Sequence, residues 1–357
     1  MASTLPEPRT PDPQTAPALR WGVIAPGGIA HAFASALRAR TSQRLQAVAS
    51  RSLSRAEAFA AEFGVATAYG SYAELVADQA VDVVYVASPH SEHREHARLA
   101  IAAGKPVLVE KAFARNAAEA AEVVLAARTA GVFAMEAMWT RFLPQLDVVR
   151  RCLEEGLLGD VHTVLADHGQ HLYPDGPQRL RDPALAGGAL LDLGIYPVSF
   201  AHLVLGGFAS VSAAGQLTDL GVDAQDAIVV RGAGGALGLL STTMSAKTPT
   251  TASVSGTAAR LELTGSFYAP RSVLTLLASD GTERGRFASA DTQHGLHFQA
   301  AEVARRITSG EHESPLMPLD ETVAIMAALD EVRAQVGVRY PGESLERGGL
   351  RPAAGMP

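Results

Sequence analysis

The sequence predicts two domains, a doubly wound α/β domain followed by an α+β domain with a large, open, mostly antiparallel sheet. The chain has 357 residues, more than a single hydrophobic core usually holds. Short apolar runs alternate with amphipathic segments up to about residue 140. Beyond that point longer strand-like segments follow one another with few helices between them.

The domain bounds follow from this change of pattern. We predict the first domain over residues 19–140 and the second over 141–345. The flanking stretches, 1–18 and 346–357, are rich in proline or glycine, and we expect both to be disordered tails.

In the first domain the apolar runs are short and rich in Val and Ala, as is typical of buried parallel strands. Capping residues such as Ser71, with Glu74 three positions later, mark helix starts between the runs. A strand–helix–strand repeat implies right-handed crossovers and a doubly wound sheet. The predicted strands are 20–25, 45–50, 81–87, 107–110 and 132–135.

In the second domain strands dominate, and a glycine-rich stretch at 232–235 predicts a hairpin loop. Helices are predicted at 143–155, 189–205, 296–307 and 321–336. The predicted strands are 161–171, 210–218, 227–231, 236–245, 260–264 and 272–278.

Composition excludes several classes of protein. Apolar residues make up 47% of the chain and charged residues 19%, which is typical of a packed globular protein. The net charge is −7 and there is no basic run, so we expect no nucleic acid and no membrane as partner. The one cysteine, Cys152, cannot form an intramolecular disulfide. With no stretch that reads as a signal peptide or a membrane span, we predict a soluble, cytoplasmic protein.

The first predicted strand leads into Ala25-Pro26-Gly27-Gly28-Ile29-Ala30, where a dinucleotide-binding fold carries G-x-G-x-x-G/A. Small residues allow the tight turn, and Gly27 allows the backbone to approach a pyrophosphate at the following helix N-terminus. Ala25 replaces the first glycine of the motif. We therefore assign Ala25, Gly27, Gly28 and Ile29 to cofactor binding.

The end of the second predicted strand indicates which dinucleotide is bound. An acidic residue there would accept from the ribose 2′-hydroxyl of NAD, but this sequence has Ser50 followed by Arg51. A guanidinium suits a 2′-phosphate, so the pair favours NADP over NAD. The alternative is that Arg51 is an ordinary exposed arginine at a helix entry.

The third predicted strand opens into a loop with three histidines. Ser88, His90 and His93 lie at the carboxyl edge of the sheet, where ligands bind in such folds, and we assign them to cofactor binding. Together with His96 the histidines could also hold a metal in a hydrolase. Because no acidic residue completes a known metal motif, we expect no metal.

Two places carry the candidate catalytic residues. Lys111 is one of only three lysines and follows a buried strand at the same edge of the sheet. The alternative is a surface lysine with a buried stem. Asp192 and Tyr196 are four residues apart in a very apolar helical segment, so they share a face. The alternative is a buried structural hydrogen bond between them.

Three further features concern the domain junction and the second domain. Trp139 and Arg141 lie where the two domains join, and we assign both to cofactor binding, with a core anchor as the alternative for Trp139. His168 and His171 are three positions apart on one predicted strand, so at most one of them faces the cleft.

Taken together, these motifs resemble the glucose–fructose oxidoreductase/inositol dehydrogenase (Gfo/Idh/MocA) family, within it the dihydrodiol and NADP-dependent D-xylose dehydrogenases. The resemblance covers about residues 19–341, with Ala112 where the family usually has proline and Tyr196 where many members have histidine. The residues that carry it are Ala25–Ala30, Ser88-Pro89-His90-x-x-His93, Ala103-Gly104-Lys105-Pro106, Glu110-Lys111, Met135–Phe142 and Gly187–Pro197.

The resemblance implies a Rossmann domain that binds NADP, with Glu110 and Lys111 among the cofactor-binding residues. It implies Lys111 and Tyr196 at the reacting centre and Asp192 assisting, while the sequence leaves open which of the first two carries the proton. It implies hydride transfer to or from a sugar, such as D-xylose, or a cyclic trans-diol. It also implies a homodimer or higher oligomer formed through the open sheet. The alternative is a catalytically silent, NADP-binding sensor on the same fold.

Overall fold

The computed structural model describes residues 5–290 and 295–343. The chain forms two compact units. The first unit takes residues 9–147 and 291–323, and the second unit takes 1–8, 148–290 and 324–357.

The first unit contains a six-stranded parallel sheet in the order β3-β2-β1-β4-β5-β6. The order reverses between β1 and β4, which makes the carboxyl ends of these strands the switch point where ligands bind in such sheets. The prediction of a Rossmann-type sheet is therefore confirmed. The strands are β1 Arg20–Ile24, β2 Arg44–Ala49, β3 Thr67–Tyr69, β4 Val83–Val86, β5 Val107–Glu110 and β6 Ala134–Ala137.

Helices flank this sheet. Their bounds are α1 Gly28–Arg40, α2 Leu53–Phe63, α3 Tyr72–Ala77, α4 His93–Ala102, α5 Ala117–Ala130 and, later in the chain, α8 Leu296–Thr308. The predicted cap is found at α3, where Ser71 accepts from the Glu74 amide, and a similar cap starts α5, where Asn116 accepts from the Glu119 amide. In the core, Phe33 of α1 packs between Trp21 and Tyr85.

The second unit contains an eight-stranded sheet in the order β14-β13-β12-β11-β7-β10-β9-β8. The β7–β10 pair is parallel and the other pairs are antiparallel, which confirms the predicted, mostly antiparallel sheet. The strands are β7 Val161–Gly169, β8 Ser210–Leu217, β9 Asp223–Arg231, β10 Leu237–Thr243, β11 Ala252–Gly256, β12 Ala259–Thr264, β13 Val273–Ala278 and β14 Glu283–Ala288.

A buried helix supports one face of this sheet. A π-helical turn over Leu190–Gly194 leads into α7 Ile195–Leu205. The stretch Pro183–Leu205 is long and apolar enough to cross a membrane, contrary to our expectation from the sequence. However, 83% of its most apolar window is buried inside the fold, as in the core helix of a globular unit. The remaining helices are α6 Pro144–Glu154 and α9 Leu319–Val336.

The division of the chain differs from the predicted one in two respects. The segment 291–323 belongs to the first unit because α8 packs against α1. The described part of the N-terminal stretch is not a disordered tail, since Arg9 pairs with Asp147 and Arg305 donates to the Asp12 carbonyl at 2.6 Å. The predicted tail at 346–357 lies outside the described residues.

Candidate active site

The turn after β1 has the shape of a pyrophosphate cradle. Ala25 has a φ of +64°, in the left-handed region, and its amide donates to the Ala49 carbonyl at 3.0 Å. Gly27 then forms the N-cap of the 13-residue helix α1 without a side-chain capping bond. The first amides of α1 therefore have no capping side chain, which leaves them suited to an anion.

The space over this helix end fits a bound phosphate. A Cβ added at Gly27 or at Gly28 would have no neighbour within 4 Å, and both glycines are exposed. A side chain at either position would occupy the volume above the amides, which the diphosphate of a dinucleotide requires. The residues present thus fit the diphosphate of a dinucleotide.

Replacing Ala25 by glycine is expected to stabilise the protein. A left-handed conformation costs a residue with a Cβ about 1–2 kcal/mol, and glycine avoids this while losing about 0.5–1 kcal/mol of unfolded-chain entropy. The net gain of about 0–1.5 kcal/mol should raise Tm in differential scanning calorimetry, by about 2–4 °C for each kcal/mol. The exposed, mid-helical substitution Ala121→Gly is the control and should lower Tm. A lower Tm for Ala25→Gly would contradict the prediction.

The residues after β2 form a small polar cluster. Arg51 is exposed, and its positive charge opposes the raised pKa that burial gives Tyr72. The Tyr72 ring meets His96 edge to face at 4.5 Å, and His96 Nδ1 bonds to Ser88 Oγ at 2.9 Å. The sequence identified Arg51 and Ser88 here but missed Tyr72. His96 was considered only as a metal ligand.

The histidine loop differs from its prediction. His93 is fully buried, and its ring nitrogens lie 2.7 Å from the Ser88 carbonyl and 2.8 Å from the Ala112 carbonyl. Burial lowers the pKa of His93 to about 4, so the ring is neutral and donates to one carbonyl at a time. His93 therefore joins the ends of β4 and β5, and its side chain is not available to a cofactor. His90 is also buried, and no group of three metal-ligating side chains occurs within 5–290 and 295–343.

The end of β5 carries Lys111. Glu110, directly before it, is buried and accepts a hydrogen bond from the Tyr85 hydroxyl, so it supports the strand end. Lys111 itself is half-buried, and its peptide bond to Ala112 is cis. The other lysines differ: Lys105 donates to two backbone carbonyls, and Lys247 is exposed.

The two residues assigned at the domain junction are buried in the first unit. Trp139 and Arg141 lie in the short turn Trp139–Phe142. The Arg141 guanidinium bonds to Glu321 at 2.7 Å with its side chain only 2% exposed. Its charge is thus paired within the first unit, and its assignment to cofactor binding stays a prediction. The core-anchor interpretation fits Trp139.

In the second unit Tyr196 lies in a cluster of rings. The His168 ring is 5.2 Å and the Tyr268 ring 4.6 Å from it, centroid to centroid. His168 Nδ1 bonds to the Leu193 carbonyl at 3.1 Å, and Gln170 donates to His168 Nε2 at 2.9 Å. These bonds assign the neutral tautomer with its proton on Nδ1. His171 lies beyond β7 and is exposed, so His168 is the inward-facing histidine.

Asp192 has a partner that the sequence did not indicate. Both terminal nitrogens of Arg179 donate to Asp192 Oδ1 at 3.0 Å. The Asp192 side chain is 11% exposed and that of Arg179 43%, so this ion pair joins a nearly buried carboxylate to an exposed guanidinium. The two bonds hold the carboxylate in one orientation.

Comparison with known proteins places these features in one family. Residues 19–138 match the model of the Gfo/Idh/MocA oxidoreductase family with an NAD-binding Rossmann fold, and 147–262 match the C-terminal domain of that family. The chain belongs to the Gfo/Idh/MocA family. Members bind NAD(P) in the Rossmann domain, and this chain is an NAD(P)-dependent dehydrogenase.

Relatives within the Gfo/Idh/MocA family match nearly the whole chain. Bovine (Bos taurus) trans-1,2-dihydrobenzene-1,2-diol dehydrogenase is 38% identical over 336 residues, which cover 91% of this chain and 98% of the relative. The human (Homo sapiens) enzyme of that name is 37% identical over 335 residues, with the same coverage of both chains. A 3-ketoreductase from Actinomadura kijaniata, solved with NADP and TDP-benzene, superimposes with a TM-score of 0.78 at 27% identity and covers 90% of this chain and 98% of its own.

Proposed function

We propose that this member of the family is an NADP-dependent dehydrogenase that moves a hydride between the nicotinamide and a hydroxyl-bearing carbon of its substrate. The substrate is a sugar, such as the aldose D-xylose, or a cyclic trans-diol. The observation that carries the proposal is the fixed phenol and carboxylate of the second unit, with Tyr196 packed among its rings and Asp192 paired with Arg179. The dihydrodiol dehydrogenases, which oxidise a cyclic trans-diol by name, support the substrate class.

The preference for NADP rests on Arg51. Its guanidinium is exposed just past the end of β2, where the adenosine ribose lies in Rossmann domains. No acidic residue stands at positions 50–52 to receive the ribose 2′-hydroxyl of NAD. A planar guanidinium suits the 2′-phosphate of NADP instead. Ser50, Tyr72 and His96 complete the polar surroundings of this position.

The residues divide the chemistry between them. When bound, the cofactor accepts or gives the hydride at the nicotinamide ring. The ionised phenol of Tyr196 takes the proton that the substrate hydroxyl loses, and in the reverse direction the neutral phenol returns it. The Asp192 carboxylate, oriented by Arg179, accepts a hydrogen bond from a substrate hydroxyl and so positions the carbon that reacts. Lys111 is the alternative carrier of this proton, as the sequence leaves open.

One assay tests the proposal against its alternative. NADPH formation, followed by its absorbance, is measured across aldoses, inositols and trans-dihydrodiols, with NAD in parallel. We expect turnover with at least one of these classes and higher kcat/KM with NADP. Tight NADP binding without turnover on the whole panel would instead support a silent sensor on the same fold.

The outer face of the second-unit sheet supports a homodimer. Leu165, Leu239 and Val229 lie side by side on β7, β10 and β9, and they are 47%, 48% and 45% exposed. Leu237 extends this apolar row along β10. A contiguous apolar row on a sheet is stabilised when a second copy covers it. We propose that two copies pair through this face.

We also propose that the enzyme works in the cytoplasm, where the buried thiol of Cys152 stays reduced.

The substitution Leu239→Glu tests the dimer. It places a charge in the centre of the apolar row, so the expected molar mass by light scattering falls to that of one 37.2 kDa chain. Leu125→Glu is the matched control, because Leu125 is 67% exposed on α5 of the first unit. The control should keep the mass of two chains. A wild-type protein that is monomeric at micromolar concentration would contradict the proposal.

A further inference from the structure

Two buried aspartates of β9 lie behind the segment that carries Asp192 and Tyr196. Asp223 and Asp226 are buried on the inner face of the second-unit sheet. Asp223 Oδ2 accepts a hydrogen bond from the backbone amide of Leu190 at 2.5 Å. Leu190 is the first residue of the π-helical turn, which contains Asp192 and leads directly into Tyr196. Asp223 therefore holds the start of this segment.

The double glycine before the turn is explained by the same contact. Gly188 has a φ of +114°, and a Cβ on it would lie 2.1 Å from Asp223 Oδ1. The Tyr340 hydroxyl donates to the Gly187 carbonyl at 2.7 Å. The chain before the turn is thus fixed both by Asp223 and by a tyrosine from the end of the described chain.

Asp226, three residues further along β9, is also buried, and its carboxyl lies within hydrogen-bonding reach of that of Asp223. A Cβ added at Gly215 on the neighbouring strand would lie 2.5 Å from Asp226 Oδ1, so this carboxyl packs against a backbone that has no side chain. Within the described residues, neither oxygen of Asp226 nor Asp223 Oδ1 receives a hydrogen bond from an N–H or hydroxyl group. A proton on Asp226 that is donated to Asp223 satisfies the pair.

The surrounding charges favour one proton on the pair. Burial, and then the charge of Asp223, raises the pKa of Asp226 well above its usual range, and burial raises that of Asp223 less. Arg333 of α9 is fully buried and bonds to Asp330 and Glu343, so most of its charge is already compensated. Tyr340 stacks on Arg333 at 4.5 Å, and the pKa of its phenol is raised well above the usual value by burial.

We propose that Asp223 and Asp226 are positioning residues for the reaction: Asp223 anchors the backbone at Leu190, Asp226 anchors Asp223, and together they orient Asp192 and Tyr196. The catalytic part of this inference rests on the proposed function. The anchoring itself is a property of the second unit alone.

The arrangement makes the anchor sensitive to alkali. An acid whose pKa is higher in the folded than in the unfolded chain contributes stability that is complete below the unfolded value and is lost as pH rises through the folded value. When Asp226 loses its proton, two buried carboxylates repel each other and the bond to Leu190 weakens. Turnover should therefore fall on the alkaline side together with the order of the turn.

The first test removes the anchor. Asp223→Ala is expected to lower kcat at least tenfold, to leave the Kd for NADP within twofold, and to accelerate hydrogen exchange in the peptide 188–197, measured by mass spectrometry. Asp223→Asn keeps an oxygen for the Leu190 amide and should restore most of kcat. If Asp223→Ala does not fold, Gly188→Ala replaces it, because its new methyl group would displace Asp223. Wild-type kcat and wild-type exchange in either folded variant would overturn the proposal.

The second test removes the ability of Asp226 to ionise. Asp226→Asn still donates to Asp223 but cannot lose that proton near neutrality, so the alkaline fall in kcat should disappear. Asp280→Asn, a carboxylate-to-amide change in the turn between β13 and β14, is the matched control and should keep the wild-type pH profile. An unchanged alkaline fall in Asp226→Asn would overturn the role of Asp226.

The two proposals fail in distinguishable ways. If the wild-type enzyme turns over no substrate on the panel, the proposed function fails. The anchoring role is then decided by hydrogen exchange alone. Faster exchange in Asp223→Ala supports it, and unchanged exchange overturns it.

Discussion

Replacement of Tyr196 by phenylalanine is expected to lower kcat by about two to four orders of magnitude, the usual contribution of a positioned general acid or base. The substitution removes the hydroxyl that exchanges the proton with substrate and keeps the ring. The contacts of that ring with His168 and Tyr268 depend on its shape, so the fold and Tm should be retained. The loss should therefore be confined to the chemical step.

Cofactor affinity provides the internal check on Tyr196→Phe. The residues proposed to hold the dinucleotide lie on the first unit, at the ends of β1, β2 and β4, so the Kd for NADP should not change. Steady-state kinetics and a fluorescence titration with NADPH measure the two quantities separately. Tyr268→Phe is the matched control, since it removes a hydroxyl from the neighbouring ring and should change kcat by less than tenfold.

The same variant decides between two carriers of the proton. Both ring nitrogens of His168 already have partners, Nδ1 the Leu193 carbonyl and Nε2 the Gln170 amide, so the two candidate carriers are Tyr196 and Lys111. If Lys111 carries the proton, Tyr196→Phe retains turnover comparable to wild type and Lys111→Met loses it. Comparable turnover in Tyr196→Phe would therefore exclude the tyrosine as the acid and base.

The sheet architecture could be predicted because burial imposes a residue pattern. β4 and β5 are buried on both faces, which requires continuous apolar runs, and both were predicted from such runs. β11 and β14 were missed because their sequences, ASVSG and ERGRFA, lack that pattern. β14 lies at the edge of its sheet, where strands tolerate charge. The return of α8 to the first unit depends on tertiary packing, which residue order does not encode locally.

The residues of the candidate site likewise divide into those that the sequence could indicate and those that it could not. The sequence could indicate Lys111, Asp192 and Tyr196 as site candidates, because burying a polar side chain in an apolar segment costs free energy unless it has a partner or a function. Arg179 and Asp223 could not, since their bonds to Asp192 and to Leu190 join segments that are distant in the chain or lie in irregular loops. His93 was assigned to the cofactor because it follows β4 at the carboxyl edge of the sheet, where ligands bind in such folds. The carbonyls of Ser88 and Ala112, which lie within hydrogen-bonding distance of its ring, come together only when β4 and β5 pair. The sequence alone therefore does not indicate them.

Replacement of Arg51 by alanine is expected to weaken NADP binding by about 1.5–3 kcal/mol, roughly 10- to 150-fold, the contribution of hydrogen bonds to a charged group. NAD lacks the 2′-phosphate, so its Kd should change by less than threefold. Fluorescence titration of both cofactors, at two salt concentrations, measures the difference. Because the guanidinium is exposed, the effect on NADP should be smaller at high salt.

Arg55→Ala is the matched control, since Arg55 is also exposed and lies one turn later along the chain, in α2. It should leave the ratio of the two Kd values unchanged. Equal weakening of NADP and NAD by Arg51→Ala would show that Arg51 acts on the adenosine generally and remove the 2′-phosphate assignment. Arg51→Lys separates charge from shape: a lysine keeps the charge but not the planar fork, so recovery of only part of the NADP affinity would show that bidentate contact contributes to the selection.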